Sequence, residues 1–147
     1  MDILSKLPER LKEMMIERNL NTSDLAALLG VKPSTVSRYL NCISLPAFQQ
    51  FVKLLGLFDC SADFLIGLTE DSPESAVYKQ VPPFSERFRS LLKEYGMSQY
   101  ALHKKTGFSY DNFNKWLKGK SSPYVDNLVR LAQAFDCSVD YLIGHTL

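Results

Sequence analysis

The ten residues FDCSADFLIG (Phe58 to Gly67) return almost unchanged as FDCSVDYLIG (Phe135 to Gly144), 77 positions later. A short peptide motif would lose register on either side of itself, whereas a repeated folding unit would keep it. The register holds. Leu7 to Thr69 aligns with Phe84 to Thr146 without a gap, and 19 of those 63 positions are identical. Many of the others exchange one apolar residue for another. A repeat of this length redefines the unit of folding, and each copy falls in the size range at which small domains still fold alone. The expected organisation is a first domain over 1–69, a linker over 70–83 and a second domain over 84–147.

Within each copy the apolar pattern is helical. Leu7, Leu11, Met14 and Met15 recur at the spacing of one buried helix face, and Phe84, Phe88, Leu91 and Leu92 repeat it. Pro8 suits the first turn of that helix, where a missing N–H costs nothing. A second, short helix is expected after Asn21 or Ser98, both good N-cap residues, and ends at Gly30 or Gly107. The third runs from Pro33 to Leu40, or Tyr110 to Leu117. The fourth follows Pro46 or Pro123 and ends near Gly56 or Ala134. The fifth opens at Ser61 or Ser138 and ends at Gly67 or Gly144. No strand pattern appears. The fold class is all-α: two tandem five-helix domains, with a tight glycine-containing turn between helices two and three of each. Two short helices joined in this way have helix-turn-helix geometry, in which the second helix can enter the major groove of DNA. The segment between the copies, EDSPESAVYKQVPP, is polar and rich in serine and proline, as linkers are.

Bulk properties exclude several classes of function. The chain is 46% hydrophobic and 22% charged, ordinary for a globular protein. No stretch approaches the ~18 apolar residues of a membrane span, and no secretory signal is visible, so a cytoplasmic location is expected. Cys42, Cys60 and Cys137 are an odd set without paired spacing, which is no disulfide framework. Cys60 and Cys137 share a repeat position and are expected to fill a small apolar site in each domain. With only His103 and His145 beside them, no zinc site can be assembled, and no other cofactor or small-molecule ligand is indicated. No nucleophile-base-acid set and no glycine-rich phosphate loop appears, so no enzyme is expected. The net charge of +1 conceals a division: residues 1–72 carry 7 basic and 9 acidic side chains, net −2, and residues 73–147 carry 10 and 7, net +3.

The stretch SQYALHKKTGFSYDNFNKWLKGKSSPYVDNLVRLAQAFDCSVDYLIG resembles the helix-turn-helix domain of the Cro/C1-type, phage-repressor-like family, and NTSDLAALLGVKPSTVSRYLNCISLPAFQQFVKLLGLFDCSADFLIG resembles a second, diverged copy. The resemblance rests on Ser98-Gln99 opening helix two, Leu25-Ala26 within it and glycine at the turn. It also rests on Gly119-Lys120 after helix three, Pro46 and Pro123 before helix four, and the Asp-x-Leu-Ile-Gly ending. It implies binding to operator DNA, usually in two-fold arrangements, and regulation of transcription in bacteria or phages. Carried over by position, the DNA-facing residues of the second copy are Gln99, Ser109, Tyr110, Asp111, Asn114 and Lys115, with Lys118 and Lys120 on phosphates. The equivalents in the first copy are Thr22, Lys32, Pro33, Ser34, Ser37, Arg38, Asn41 and Ile43.

The chemistry of the two sets differs. Lysine and arginine neutralise phosphates, and polar side chains read base edges. The second copy groups Lys104, Lys105, Lys115, Lys118 and Lys120 around its helix pair; the first offers Lys32 and Arg38. Asn114 suits adenine, Lys115 guanine, and Asp111 the amino group of cytosine. Cys42 stands where the second copy has Gly119, at a turn expected to need a left-handed backbone, so that turn is expected to be rebuilt, with Asn41 taking the conformation. His103 stands where the family has a small residue packed between helices two and three, and is read as an accommodated, partly exposed histidine. Val36, Phe113, Tyr39 and Trp116 are read as packing residues. The expected function is sequence-specific binding of double-stranded DNA as a transcriptional regulator, a repressor by resemblance, as a possible homodimer. The alternative is a protein-interaction module, such as an antitoxin, an anti-repressor or a dimerisation adaptor. The thirteen residues from Glu70 to Pro82 reach ~43 Å when extended, enough to bridge major grooves ~34–36 Å apart, so the copies are expected to engage two dissimilar half-sites on one duplex.

Overall fold

The structure, a computed structural model, describes residues 3–72 and 77–146. It divides into two compact units, Met1–Ala76 and Val77–Leu147. The first contains α1 (Ile3–Glu17), α2 (Thr22–Leu29), α3 (Pro33–Leu40), α4 (Phe48–Phe58) and α5 (Ala62–Ile66). The second repeats the order with α6 (Phe84–Glu94), α7 (Gln99–Thr106), α8 (Tyr110–Leu117), α9 (Val125–Phe135) and α10 (Val139–Ile143). The protein is all-α, with no strand among the described residues. None of its helices is long and apolar enough to cross a membrane.

The first helix of each unit supplies the expected stripe, less one residue: Leu7, Leu11, Met14 and Met15 are buried, as are Phe84, Phe88 and Leu91, whereas Leu92 is half-buried. One detail differs. α1 begins at Ile3, so Pro8 lies inside the helix rather than in its first turn. It withholds one hydrogen bond from Leu4 and is accommodated near the N-terminal end, where few bonds depend on it.

The repeated decapeptide does the same work in both units. Phe58 and Phe135 close the core at the ends of α4 and α9. Asp59 (φ 49°) and Asp136 (φ 55°) then take the left-handed conformation that stops each helix. The fourth helix therefore runs past Gly56 and Ala134, the expected stops. Aspartate tolerates this conformation better than most residues, and the N–H of the following cysteine closes the turn on Leu55 or Ala132. Ser61 and Ser138 cap α5 and α10, accepting from the N–H of Phe64 and Tyr141. Cys60 is buried and Cys137 half-buried.

A cation on the first helix fastens the last one. The Arg10 guanidinium donates to the carbonyls of Phe64 and Thr69, and Arg87, its repeat counterpart, donates to Tyr141 (2.6 Å) and Leu142 (3.2 Å). Each also lies over an aromatic face, Phe64 at 4.2 Å and Tyr141 at 4.8 Å. Phe64 O and Tyr141 O also accept from the capping N–H groups of Gly67 and Gly144, so the arginines add a charged donor where the helix C-terminus is electronegative. A second pair does the same for the second helix: Lys53 donates to Leu29 O (3.3 Å), and Arg130 to Thr106 O.

The segment between the copies is partly taken up by the units themselves. Ser72 Oγ accepts from the N–H of Ser61, in the first unit. Tyr78 stacks on His145 with ring centroids 4.2 Å apart, and the Lys79 N–H donates to His145 O at 2.9 Å, in the second. Residues 73–76 lie outside the described residues. The free tether is therefore shorter than thirteen residues, and the ~43 Å reach of a wholly free segment overstates it.

The turn after the third helix also departs from expectation. Cys42 itself adopts the left-handed conformation (φ 60°), as Gly119 does (φ 72°), while Asn41 stays at φ −101°. The turn is not rebuilt, because its closing bonds are the same in both units: Ile43 N–H to Arg38 O and Lys120 N–H to Lys115 O, each 2.9 Å. A Cβ in this conformation costs about 1–2 kcal/mol. Cys42→Gly is expected to stabilise the protein by about 1 kcal/mol, and Gly119→Ala to destabilise it by a similar amount. A Cβ at Gly119 would meet only Ser85, at an ordinary 3.7 Å, so the cost is conformational. Urea unfolding of the full chain measures both; equal midpoints for Cys42→Gly and the parent would contradict the strain.

Candidate nucleic-acid interface

The α7–α8 pair is defined first at its ends. Ser98 Oγ accepts from Ala101 N–H (3.0 Å), and α7 stops at Gly107 (φ 76°), whose N–H donates to His103 O. In the turn, the buried Thr106 hydroxyl donates to Leu102 O (2.7 Å) and accepts from Phe108 N–H (3.1 Å). Ser109 then caps α8, its Oγ accepting from Asn112 N–H at 3.1 Å. At the far end Arg89 of α6 donates to Leu117 O at 3.1 Å. Between the ends, Phe113 and Trp116 are buried, with Trp116 edge-on to Phe84, Phe88 and Phe108 at 5.4–6.1 Å. With that face inside, the opposite face is free for polar chemistry.

The sequence-derived residues of the second unit are all exposed or half-buried. Asp111, Asn114, Lys115, Lys118 and Lys120 are exposed, Tyr110 is 43% exposed, and Gln99 is half-buried as the first residue of α7. Ser109 is exposed but its oxygen is engaged as the cap, leaving its O–H to offer. Lys115 and Asp111 pair across one turn at 3.1 Å, at 51% and 74% exposure. A surface pair of this spacing contributes only about 0.3–0.5 kcal/mol, so both groups are easily released. Two of the five grouped lysines are occupied elsewhere. Lys105 reaches Ala134 O (3.4 Å) at the end of α9, and Lys104 lies over the Tyr100 ring (5.5 Å).

In the first unit the frame is equivalent and the surface is not. Asn21 and Asp24 form a reciprocal cap on α2 (2.8 and 3.0 Å), with Thr22 next, half-buried. α3 opens at Lys32 without a side-chain cap, and Pro33 follows. Lys32, Ser34 and Arg38 are exposed and Ser37 half-buried. The Asn41 amide turns back to Ser37 O (2.8 Å), away from any partner outside the helix. Val36 and Tyr39 are buried like Phe113 and Trp116.

Exposed apolar residues divide by unit in a regular way. In the first unit they are Ile16, Leu28, Ile43 and Leu68; the repeat places Lys93, Lys105, Lys120 and His145 at those four positions. The second unit exposes tyrosines instead: Tyr95, Tyr100, Tyr110 and Tyr124, besides Val77. Sequence reading passed over Tyr100 and Tyr124, and over Arg89, which holds the end of α8; the signal for Arg89 was its charged counterpart Lys12. Among the described residues no group of three or more His, Cys, Asp or Glu side chains could hold a metal ion.

Family models match both units. A family model described as a Cro/C1-type HTH DNA-binding domain matches residues 87–146, and one described as helix-turn-helix matches residues 11–65. The chain is similar to Repressor protein C2 of Salmonella phage P22, 36% identical over 58 residues, covering 40% of this chain and 27% of that protein. It is also similar to the uncharacterized HTH-type transcriptional regulator YobD of Bacillus subtilis (strain 168), 32% identical over 63 residues, covering 43% of this chain and 56% of that protein. The matches thus span about a quarter and just over half of these relatives. No solved structure matches the chain.

The end-defined construction of the pair is testable through its caps. Ser109→Ala is expected to destabilise the protein by about 1 kcal/mol, because it orphans the Asn112 N–H. Lys32→Ala, at the same position of the first unit, has no cap bond to lose and is expected to be neutral. Thermal unfolding of the full chain compares them, and equal losses would refute the capping role of Ser109.

Proposed function

We propose that this chain, which belongs to the Cro/C1-type helix-turn-helix family and carries two of its domains in tandem, is a sequence-specific regulator of transcription acting on double-stranded DNA. The observation that supports it most directly is the division of α8 into two faces. Its inner face is consumed by the core; its outer face and following turn present Asn114, Lys115, Lys118 and Lys120, none of them used to hold the fold. Lys118 and Lys120 are assigned to phosphates, and Asn114 and Lys115 to base edges, with Gln99, Ser109, Tyr110 and Asp111 flanking them. In this reading the protein catalyses nothing and works in the cytoplasm, where its target is. Repression, by blocking access to a promoter, is the outcome that the similarity to a phage repressor favours.

The second unit is assigned most of the DNA affinity, from the lysines at its recognition helix and its net charge of +3 against −2. A second reading is favoured for the first unit. At three positions its outer surface carries exposed aliphatic side chains where the second carries lysines, and Ile43 is 61% exposed at the position of Lys120. Such a surface suits protein association better than a phosphate backbone. The first unit then serves as a dimerisation or partner-binding domain, with Thr22, Lys32, Ser34, Ser37 and Arg38 making few or no DNA contacts.

Two measurements test these assignments. On a site recovered by selection from random duplex DNA, Lys118→Ala with Lys120→Ala is expected to weaken binding to all sequences. The same pair is expected to flatten the dependence of log affinity on log salt by about one unit for each phosphate no longer neutralised. An equal loss from Lys32→Ala with Arg38→Ala would overturn the ranking of the units. Inserting ~5 base pairs within the recovered site turns one half to the opposite face of the duplex. A fall in affinity of about tenfold or more means that both units engage the DNA together, through the effective concentration of the tether. No change is the outcome expected if the first unit binds protein.

A further inference from the structure

The repeat exposes one pair of residues that changed together. Where the first unit has Ala26 and Pro33, the second has His103 and Tyr110. Ala26 is buried against its neighbours, whereas His103, on α7, is half-buried. Its imidazole fills the space between α7 and the start of α8. Two contacts hold it there. Nδ1 lies 2.7 Å from Phe108 O; since a carbonyl can only accept, Nδ1 carries the hydrogen and donates it. The ring then stacks on Tyr110, with centroids 4.9 Å apart and planes 27° from parallel. Tyr110 also makes a T-shaped contact with Phe113, at 6.2 Å and 77°. Tyr110, the first residue of α8, is thus held by contacts with two rings and is still 43% exposed.

A tyrosine side chain on the surface ordinarily samples several rotamers, and ordering it when a partner arrives costs binding free energy. The clasp removes that cost in advance. We infer that His103 is a positioning residue for DNA recognition: fixed by its bond to the turn, it holds the Tyr110 ring at the start of the recognition helix in the orientation in which Tyr110 meets a base. The first unit, with Ala26 and Pro33, lacks both parts of this device. The inference rests on the DNA-binding function proposed above and assigns specificity within it to a residue that touches no DNA.

The test is base-preference measurement by selection from random duplex DNA, with the full chain and five variants. Tyr110→Ala identifies the base position, or positions, that depend on Tyr110. His103→Ala, which installs the residue of the first unit, is expected to weaken preference at those same positions by about 2- to 10-fold, the range that an aromatic pair is worth, and to leave the positions read by Asn114 and Lys115 unchanged. His103→Ala is expected to add nothing in the Tyr110→Ala background. Two substitutions separate the contacts. His103→Phe keeps a ring for the stack and is expected to restore most of the preference; His103→Asn keeps a donor for Phe108 O without a ring and is expected not to. Circular dichroism confirms that each variant is folded. Unchanged preference in His103→Ala, an additive loss on the Tyr110→Ala background, or rescue by asparagine and not by phenylalanine overturns the inference while leaving the DNA-binding function standing. Recovery of no motif by the parent chain overturns both.

Discussion

An eight-residue helix is not stable by itself in water, because nucleation costs more than so few hydrogen bonds return. The outward chemistry of α8 therefore depends on the burial of its inner side. Phe113 and Trp116 insert among Phe84, Phe88 and Phe108, and burying side chains of this size contributes roughly 1.5–3 kcal/mol each. Val36 and Tyr39 do the same for α3. Caps complete the arrangement: Ser109 at the start, a left-handed residue at the end, and Arg89 on the last carbonyl. Because the helix is held from within and at its ends, its exposed side chains other than the Ser109 cap add little to its stability.

That separation lets two copies of one fold diverge in function. The shared positions are those that fold the unit: the apolar core, the Ser61 and Ser138 caps, the left-handed aspartates, and the cations that reach the carbonyls of the second and fifth helices. The positions that differ most lie outside. Ile43 and Lys120 follow the same hydrogen-bonded turn, yet one presents an aliphatic surface and the other a charge. Even the strained turn is kept in the first unit, where Cys42 bears the conformation that glycine takes without cost. The packing demands that turn whatever residue occupies it.

The arginine contacts show how far the repeat constrains the interior. Arg10 and Arg87 lie at equivalent positions and do the same work, adding a charged donor to carbonyls at the end of a five-residue helix. Between Lys53 and Arg130 the residue changed and the job did not: both reach the last carbonyl of the second helix. A helix terminus requires a donor there, and either cation supplies one.

Much of this was determined by the sequence alone. The 77-residue register, the helical spacing of apolar residues and the serine, asparagine and glycine boundaries place ten helices and their turns, because caps and periodicity act over three or four residues and are written locally. The outer face of α8 was legible for the same reason, since Phe113 and Trp116 fix the rotation of the helix. What stretches over longer distances was decided by tertiary structure. Pro8 falls inside α1 because the helix begins earlier than its local signal. The stops of α4 and α9 move to Asp59 and Asp136 because core packing carries those helices past Gly56 and Ala134. The strained turn stays on Cys42 because its hydrogen bonds hold it. Tyr78 and Lys79 leave the linker to dock on His145, and His103 comes to clasp Tyr110 across a turn. Side chains seven or sixty residues apart meet only when the core has fixed the helices, and no local pattern records which rings will then stack.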